Sequence, residues 1–291
     1  MHVLLTGATG YLGSHLAHAL VAGGVKVSIL KRSTSCLTRL ADIQHHLAMF
    51  DIDEKGIEAP FRSGGHIDAI IHAATSYGRN GENEFEVFKV NTQFPLDLLQ
   101  TATCFNTETF FNTDTILHEY LNAYALSKQQ FSQWGRIFAE STKIQFVNIR
   151  LEHIYGPGDD SSKFTTWMIR QCLNRASRIP LTKGEQMRDF IYIEDVVAAY
   201  MLMFKNLTGQ KKVWQEVALG SGTPVKIRHF AETVKKLTNS DSELDFGAFP
   251  YRNNEIMSSS ADISTLNAMG WASKWSLEAG LSKVIEMERI E

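Results

Sequence analysis

Cysteine is scarce in this chain. Its 291 residues include only Cys36, Cys104 and Cys172, far apart and without CxxC spacing. That excludes a disulfide framework and a cysteine-ligated zinc site, and it predicts a reducing compartment. No charge of either sign is in excess. Lys and Arg total 29 against 32 Asp and Glu, for a formal net charge of −3. A surface made to bind nucleic acid is basic, so no nucleic-acid partner is expected. Long hydrophobic runs are missing too: none reaches the ~18 residues that a membrane span needs. The chain passes from Met1 straight into HVLLTG, with neither the basic nor the apolar segment of a secretory leader. The expectation is a soluble cytoplasmic protein with no membrane partner. His45 and His46 are adjacent and no HxxxH pair stands nearby, so no metal is expected. Asp159 and Asp160, in GPGDD, read as a solvated turn.

What is present is a 44% hydrophobic chain, ample for a large core. HVLLT (2–6), VKVSIL (25–30), HLAMF (46–50), DAIIHAA (68–74), TETFFN (107–112) and KIQFVNIR (143–150) read as strands. Between them, 11–23, 84–104 and 122–141 carry helical periodicity. Strands alternating with helices mean βαβ units. The predicted fold class is therefore α/β: a Rossmann-type doubly wound parallel sheet over residues 1–150. After Arg150 the rhythm loosens. A helix at 163–176, a strand-like RDFIYI (188–193), a helix at 194–206, a strand at 214–219 and a helix at 226–238 follow. Residues 151–291 are assigned mainly to a smaller C-terminal lobe, with segments near 188–222 returning to the main sheet. The site is expected in the cleft between the two, beyond the carboxyl ends of the strands.

TGATGYLGSHL (6–16) places Gly7, Gly10 and Gly13 after a predicted strand and at the start of a predicted helix. Such glycines permit a tight turn and close backbone approach to a pyrophosphate, which the helix N-terminus then stabilises. At the end of the second strand, NAD-preferring sites carry a carboxylate for the ribose hydroxyl. Lys31 and Arg32 stand there instead. A cationic pair suits a 2′-phosphate, so NADP(H) is expected over NAD. Asp51, after the third strand, could accept from the adenine amino group or be a plain turn aspartate.

Tyr124 and Lys128 are four apart, so on a helix they share one face. A phenol ordinarily titrates near 10. A neighbouring ammonium stabilises the phenolate and lowers that value. Thr113, at the end of the preceding strand, could orient a carbonyl or alcohol toward the tyrosine. Together the three suit proton transfer at a carbonyl oxygen while hydride passes to or from a nicotinamide.

With TGATGYLG, HAAT (72–75), VNT (90–92), YALSK (124–128) and RDFIYIEDV (188–196), the chain resembles the extended short-chain dehydrogenase/reductase family of nucleotide-sugar epimerases, dehydratases and reductases. The resemblance implies that Thr9, Tyr11 and Leu12 line the pyrophosphate with the loop glycines. It implies that Ala73 and Ala74 pass behind the cofactor and that Asn91 braces the central sheet. Tyr124 would be the acid/base, Lys128 its electrostatic partner and Thr113 the hydroxyl on the sugar oxygen. The gap from Thr113 to Tyr124 is short for this family, which leaves Thr115 as the alternative hydroxyl.

Within the family, dehydratases resemble Thr-Asp-Glu at the threonine, whereas this chain has Thr113, Asp114 and Thr115. The missing glutamate argues against elimination. VNIRLEHIYGPGD (147–159), KGEQMRDFIYIEDVV (183–197) and YRNNEIMSSSADISTLNAMGW (251–271) look like the bacterial CDP-abequose synthases. That likeness implies NADPH-dependent reduction of the 4-ketone of a CDP-linked 3,6-dideoxyhexulose, to CDP-abequose or CDP-paratose, for the O-antigen of lipopolysaccharide. Arg188 and Arg252 match positions that grip the substrate diphosphate, with Glu255 expected to orient Arg252 or to meet a ribose hydroxyl. His153 stands near that diphosphate, as a partner or as a packed loop histidine. A homodimer through helices 84–104 and 122–141 is the family's pattern. The alternatives are a 4-epimerase with tightly bound NAD, and a non-catalytic NADP-binding regulator.

Overall fold

The computed structural model describes residues 1–63, 65–210 and 213–289. It begins with β1 (His2–Thr6), α1 (Tyr11–Ala22), β2 (Lys26–Lys31), β3 (Leu47–Asp51), α2 (Ile52–Lys55) and α3 (Ala59–Ser63). There follow β4 (Ala69–His72), α4 (Glu84–Phe88), α5 (Phe94–Cys104), β5 (Thr109–Thr115), α6 (Ala123–Ser141) and β6 (Gln145–Leu151). Next come β7 (His153–Tyr155), α7 (Phe164–Leu173), β8 (Arg178–Leu181), β9 (Met187–Arg188), β10 (Phe190–Tyr192) and α8 (Ile193–Leu207). The last are β11 (Trp214–Leu219), β12 (Val225–Lys226), α9 (Ile227–Thr238), β13 (Glu243–Phe246), α10 (Ser264–Ala268) and α11 (Leu277–Glu288). Two compact units emerge: Met1–Arg150 with Val197–Val217, and Leu151–Val196 with Ala218–Glu291.

The first unit is organised by a seven-stranded sheet in the order β11-β6-β5-β4-β1-β2-β3. β3, β2, β1, β4 and β5 pair in parallel. Every residue of β1 is buried, as an apolar strand covered on both faces must be. The strand order reverses at β1, so the loop after Thr6 opens at the switch point where α/β sheets bind ligands. The α/β, Rossmann-type expectation holds.

On one face of this sheet, Leu98 of α5 and Phe131 of α6 join Phe110 and Phe146 of the sheet in one buried cluster. Phe146 stacks on Phe110 and on Trp214, with ring centroids 5.4 Å apart in each pair. A Cβ on Gly135 would come within 2.2 Å of the Phe146 ring, so only glycine lets α6 lie this close to β6. On α8, Phe204 packs edge-on against Phe111.

Two segments differ from the sequence reading. The stretch expected as one helix over 84–104 is α4, then a π-helical turn at Lys89–Gln93, then α5. Asn83 opens it with a reciprocal capping box to Glu86. The wide turn carries Asn91 inward, where it is wholly buried. The strand expected at 107–112 begins at Thr109 and runs on to Thr115. Hydropathy ends at the polar residues, but the ladder continues because they are paired. Asn112 Nδ2 donates to Asn148 Oδ1 at 2.8 Å, and Asn148 Nδ2 donates to Asp114 Oδ2 at 2.9 Å.

The second unit holds three two-stranded sheets, β10-β7, β12-β9 and β13-β8, with α7, α9, α10 and α11. RDFIYI is two strands, not one, because Asp189 turns inward between them. Its buried carboxylate accepts from Ser221 N and Oγ, Gly222 N and Ala261 N. Asp195 likewise accepts from Ser273 Oγ and the Lys274 and Trp275 backbone. Phe190 and Tyr192 are buried, against Phe230 and Trp275 respectively.

Candidate active site

The loop after β1 is built on its glycines. Gly7 has φ +71°, and a Cβ there would meet Ala74 N at 2.5 Å and Ala73 C at 2.6 Å. A Cβ on Gly13 would meet Gly7 O at 2.0 Å. The loop therefore lies flush against Ala73 and Ala74, and α1 against the loop. Gly10 N donates to Gly7 O at 2.9 Å and caps α1 without a side chain. The first turn, with Tyr11, Leu12 and Gly13, holds no acidic residue, and half-buried Thr9 precedes it. Its outward N–H groups and helix dipole form a cradle that fits a pyrophosphate.

At the ends of β2 and β3 the structure brings together two residues that were expected to act separately. Lys31 and Asp51 face each other in register, and the Lys31 ammonium bonds the Asp51 carboxylate. Of the two cations at this strand end, Lys31 is thus paired and Arg32 is exposed. Beside it, Asp53 accepts from Ser33 N at 2.8 Å. Arg39 lies 5.7 Å from the Tyr11 ring centroid.

Tyr124 and Lys128 occupy the first turns of α6, which Asn122 caps by accepting from Ala125 N at 2.9 Å. Of the two threonines it is Thr115, the last residue of β5, whose hydroxyl acts on the Tyr124 phenol and draws it down. Thr113 is bonded elsewhere, to the buried Tyr200 hydroxyl of α8 at 2.8 Å. The two threonines share a strand, but only the terminal one escapes the layer that packs on α8. Burial raises the Tyr200 phenol, leaving it a neutral partner for Thr113.

Lys128 is 2% exposed, and burial lowers its ammonium to about 8, against the opposing charge of Asp114. Asp114 is itself raised by burial and drawn down by Lys128 and by its bond from Asn148. The two form a buried acid–base couple. His72, in contact with the field of Lys128, is held neutral by burial. Its Nδ1 bonds Thr6 Oγ1 at 2.8 Å.

The phenol of Tyr124 is not acidified as the sequence suggested. Burial first, then Tyr77 and Asp114, push it well above its ordinary value; the Thr115 bond and Arg79 act against them. Asp114 acts on both groups, opposing the phenolate and favouring the ammonium. Tyr124 thus keeps its proton at neutral pH.

Asn91 is tied more locally than a sheet brace. Its Oδ1 accepts from Ser76 N at 2.8 Å and Thr75 Oγ1 at 3.1 Å. Its Nδ2 donates to Ser76 O at 2.8 Å and Ser127 Oγ at 3.0 Å. Ser127 Oγ in turn donates to Tyr124 O. Asn91 therefore pins the loop after β4 to the turn of α6 that carries Tyr124.

In the second unit, Arg188 is nearly buried and paired with Glu255, and its Nη1 donates to Met187 O at 2.8 Å. Glu255 thus serves Arg188 and not Arg252. Arg252 is exposed and has no ion pair among the described residues. His153 is half-buried: its ring stands edge-on to Phe190, and its Nδ1 lies 3.3 Å from Glu152 Oε2. Glu152 also accepts from Ser259 Oγ at 2.6 Å. Asp159 is buried and bonded by Lys163 Nζ at 3.0 Å, so GPGDD is not a solvated turn.

Tyr77, Asn148 and Tyr200 were invisible to the sequence reading as parts of the site. Each reaches it from a distant segment, and none carries a motif.

Residues 3–215 match the NAD dependent epimerase/dehydratase family. The chain is 34% identical over 293 residues to a CDP-abequose synthase of Salmonella muenchen, covering 98% of this chain and 97% of that protein. A CDP-abequose synthase of Salmonella typhimurium is 32% identical over 301 residues, with the same coverages. Among solved structures, the UDP-glucose 4-epimerase of Thermotoga maritima, determined with UDP-glucose, superposes with a TM-score of 0.85 at 21% identity. That likeness covers 100% of this chain and 99% of the other, and it establishes the fold. With a glycine cradle at the switch point, a Tyr124–Lys128 pair on the adjoining helix and a family match across most of its length, the chain belongs to the NAD dependent epimerase/dehydratase family.

Proposed function

We propose that this protein is an NADPH-dependent reductase acting on the 4-ketone of a CDP-linked 4-keto-3,6-dideoxyhexose, to form CDP-abequose or CDP-paratose for O-antigen assembly in the cytoplasm. The arrangement that carries this reading is Tyr124 with Lys128 one turn along α6, in the same unit as the glycine cradle, where the phenol can give its proton to a carbonyl oxygen as reduction requires. The relatives named CDP-abequose synthase support the nucleotide-sugar class.

Gly7, Gly10 and Gly13 would hold the dinucleotide pyrophosphate, with Thr9, Tyr11 and Leu12 beside it and Ala73 and Ala74 behind. A bound reduced nicotinamide supplies hydride to the carbonyl carbon. Thr115 orients the carbonyl oxygen, and Tyr124 delivers its proton to that oxygen as the charge develops. The C=O bond becomes CH–OH, and the tyrosine recovers a proton from water. Lys128, kept cationic at pH 7 beside Asp114, stabilises the phenolate while it lasts. Arg32, exposed at the end of β2 where a carboxylate would select NAD, favours a 2′-phosphate. Arg252 is proposed as the cation for the substrate diphosphate, because Glu255 already neutralises Arg188. Asp114, engaged by Asn148, is not available for elimination.

The test is direct. Mixed with NADPH and the CDP-linked 4-ketosugar, the protein should consume one NADPH per alcohol formed, read by loss of nicotinamide absorbance. The fold shared with a UDP-glucose 4-epimerase favours epimerisation as the second reading. An isomerised sugar without net change in absorbance would establish that reading instead.

A further inference from the structure

The loop between β4 and α4 holds two side chains that the mechanism has not used. Tyr77 lies against Tyr124 with ring centroids 4.9 Å apart and planes at 37°. The Arg79 guanidinium stands 5.1 Å from the centre of the Tyr77 ring. This order runs from solvent inward: Arg79 is exposed, Tyr77 is 39% exposed, and Tyr124 is half-buried.

The stack is held at both ends. Asn91 bonds Ser76 through both its backbone groups and bonds Ser127, one turn along from Tyr124. Tyr77 directly follows Ser76, so the two rings are registered by one buried amide. Gly78 has φ +66°, which turns the chain sharply after Tyr77 and brings Arg79 back over it. A Cβ on Gly78 would crowd Val87 at 3.1 Å, so the turn is also packed from below.

We propose that Tyr77 and Arg79 are positioning residues for Tyr124, Tyr77 fixing its ring and Arg79 supplying the outer positive charge that eases proton release from its hydroxyl. The proposal rests on Tyr124 being the acid of the reductase reading. The groups facing that hydroxyl divide by sign. From β5, Asp114 opposes ionisation and the Thr115 hydroxyl favours it; from the loop, Tyr77 opposes and Arg79 favours. On α6, Lys128 is matched by Asp114, and His72 behind it is neutral. With the inner cation matched, the exposed guanidinium is the charge left to act on the phenol. Solvent screens it, so its influence corresponds to about a two- to fivefold effect.

The experiment uses Arg79→Gln, Arg79→Lys and Tyr124→Phe. Arg79 is exposed, so its variants should fold, as circular dichroism checks. In protein labelled with 13C at the tyrosine Cζ, the resonance missing from Tyr124→Phe reports the Tyr124 titration without cofactor. Arg79→Gln should move that titration to higher pH, lower kcat about two- to fivefold with KM unchanged, and carry the basic limb of the rate profile upward. Arg79→Lys should restore all three. An Arg79→Gln titration that coincides with the parent's overturns the proposal while leaving the reductase reading intact, provided that Tyr124→Phe is inactive. A Tyr124→Phe protein that turns over like the parent removes the reading itself, and the proposal with it.

Discussion

Thr113 and Thr115 differ by two positions and by their partners. Thr113→Val removes the partner of the buried Tyr200 hydroxyl, at a cost of about 1–3 kcal/mol in stability. Its kcat should stay within about threefold of the parent's. Thr115→Val should fold normally and lose kcat about tenfold or more, since its hydroxyl meets Tyr124. Urea melts and steady-state kinetics on the pair decide between the two. Tyr124→Phe should lose about 10²–10⁴ in kcat with cofactor binding retained, measured by nicotinamide fluorescence. Lys128 gives a pH prediction. Its folded value is about 8 against an ordinary 10.5. Above 10.5 both folded and unfolded chains are neutral there, and no penalty applies. As pH falls toward 8 the unfolded chain takes the proton first, and the fold loses on the order of 3 kcal/mol. Stability at this position therefore rises with pH between 8 and 10.5. Lys128→Met should flatten that rise in urea midpoints, and it should abolish turnover.

At the scale of elements, the turn between α4 and α5 matters most. Periodicity reads 84–104 as one helix, although Pro95, which has no N–H to give a helix interior, already marks where the new first turn begins. The π turn exists because Asn91 satisfies four hydrogen bonds when carried inward. Periodicity does not contain that information; its cause is a loop fifteen residues upstream. Asn91→Ala leaves buried backbone of Ser76 and the Ser127 hydroxyl unpartnered, and should cost about 2–4 kcal/mol. It should also lower kcat by loosening the segment that carries Tyr124, and Asn91→Asp should not restore it, having no amide donor. The cradle before α1 is the contrasting case. Its glycines were legible in the sequence as a loop that must run close to something, and the 2.0 Å approach of a Gly13 Cβ to Gly7 O gives the reason. Gly13→Ala should abolish dinucleotide binding by calorimetry.

For the whole molecule, two helices of the first unit expose large apolar side chains. Phe85 and Phe88 on α4 are 62% and 38% exposed, and Trp134 and Ile137 on α6 are 44% and 53% exposed. Leu126, Trp134 and Ile137 fall at helical spacing, so they form one stripe. We propose that this stripe pairs two protomers as a homodimer. Sedimentation should give twice the chain mass for the parent and the monomer mass for a Trp134→Glu, Ile137→Glu double variant. No described helix is long and apolar enough to cross a membrane.

By itself, the sequence determined the alternation of strands and helices, the glycine turn at the switch point and the Tyr124–Lys128 spacing. Each depends on residues within a turn or two of one another, where period and backbone freedom act directly. Tertiary structure alone decided that Thr115 meets Tyr124 while Thr113 meets Tyr200, that Lys31 is matched by Asp51, and that Glu255 holds Arg188. These pairings join segments up to 87 residues apart. They are set by strand register and by which layer covers a strand's end, and burial then makes each polar group take the nearest partner of opposite character. No local pattern encodes that choice.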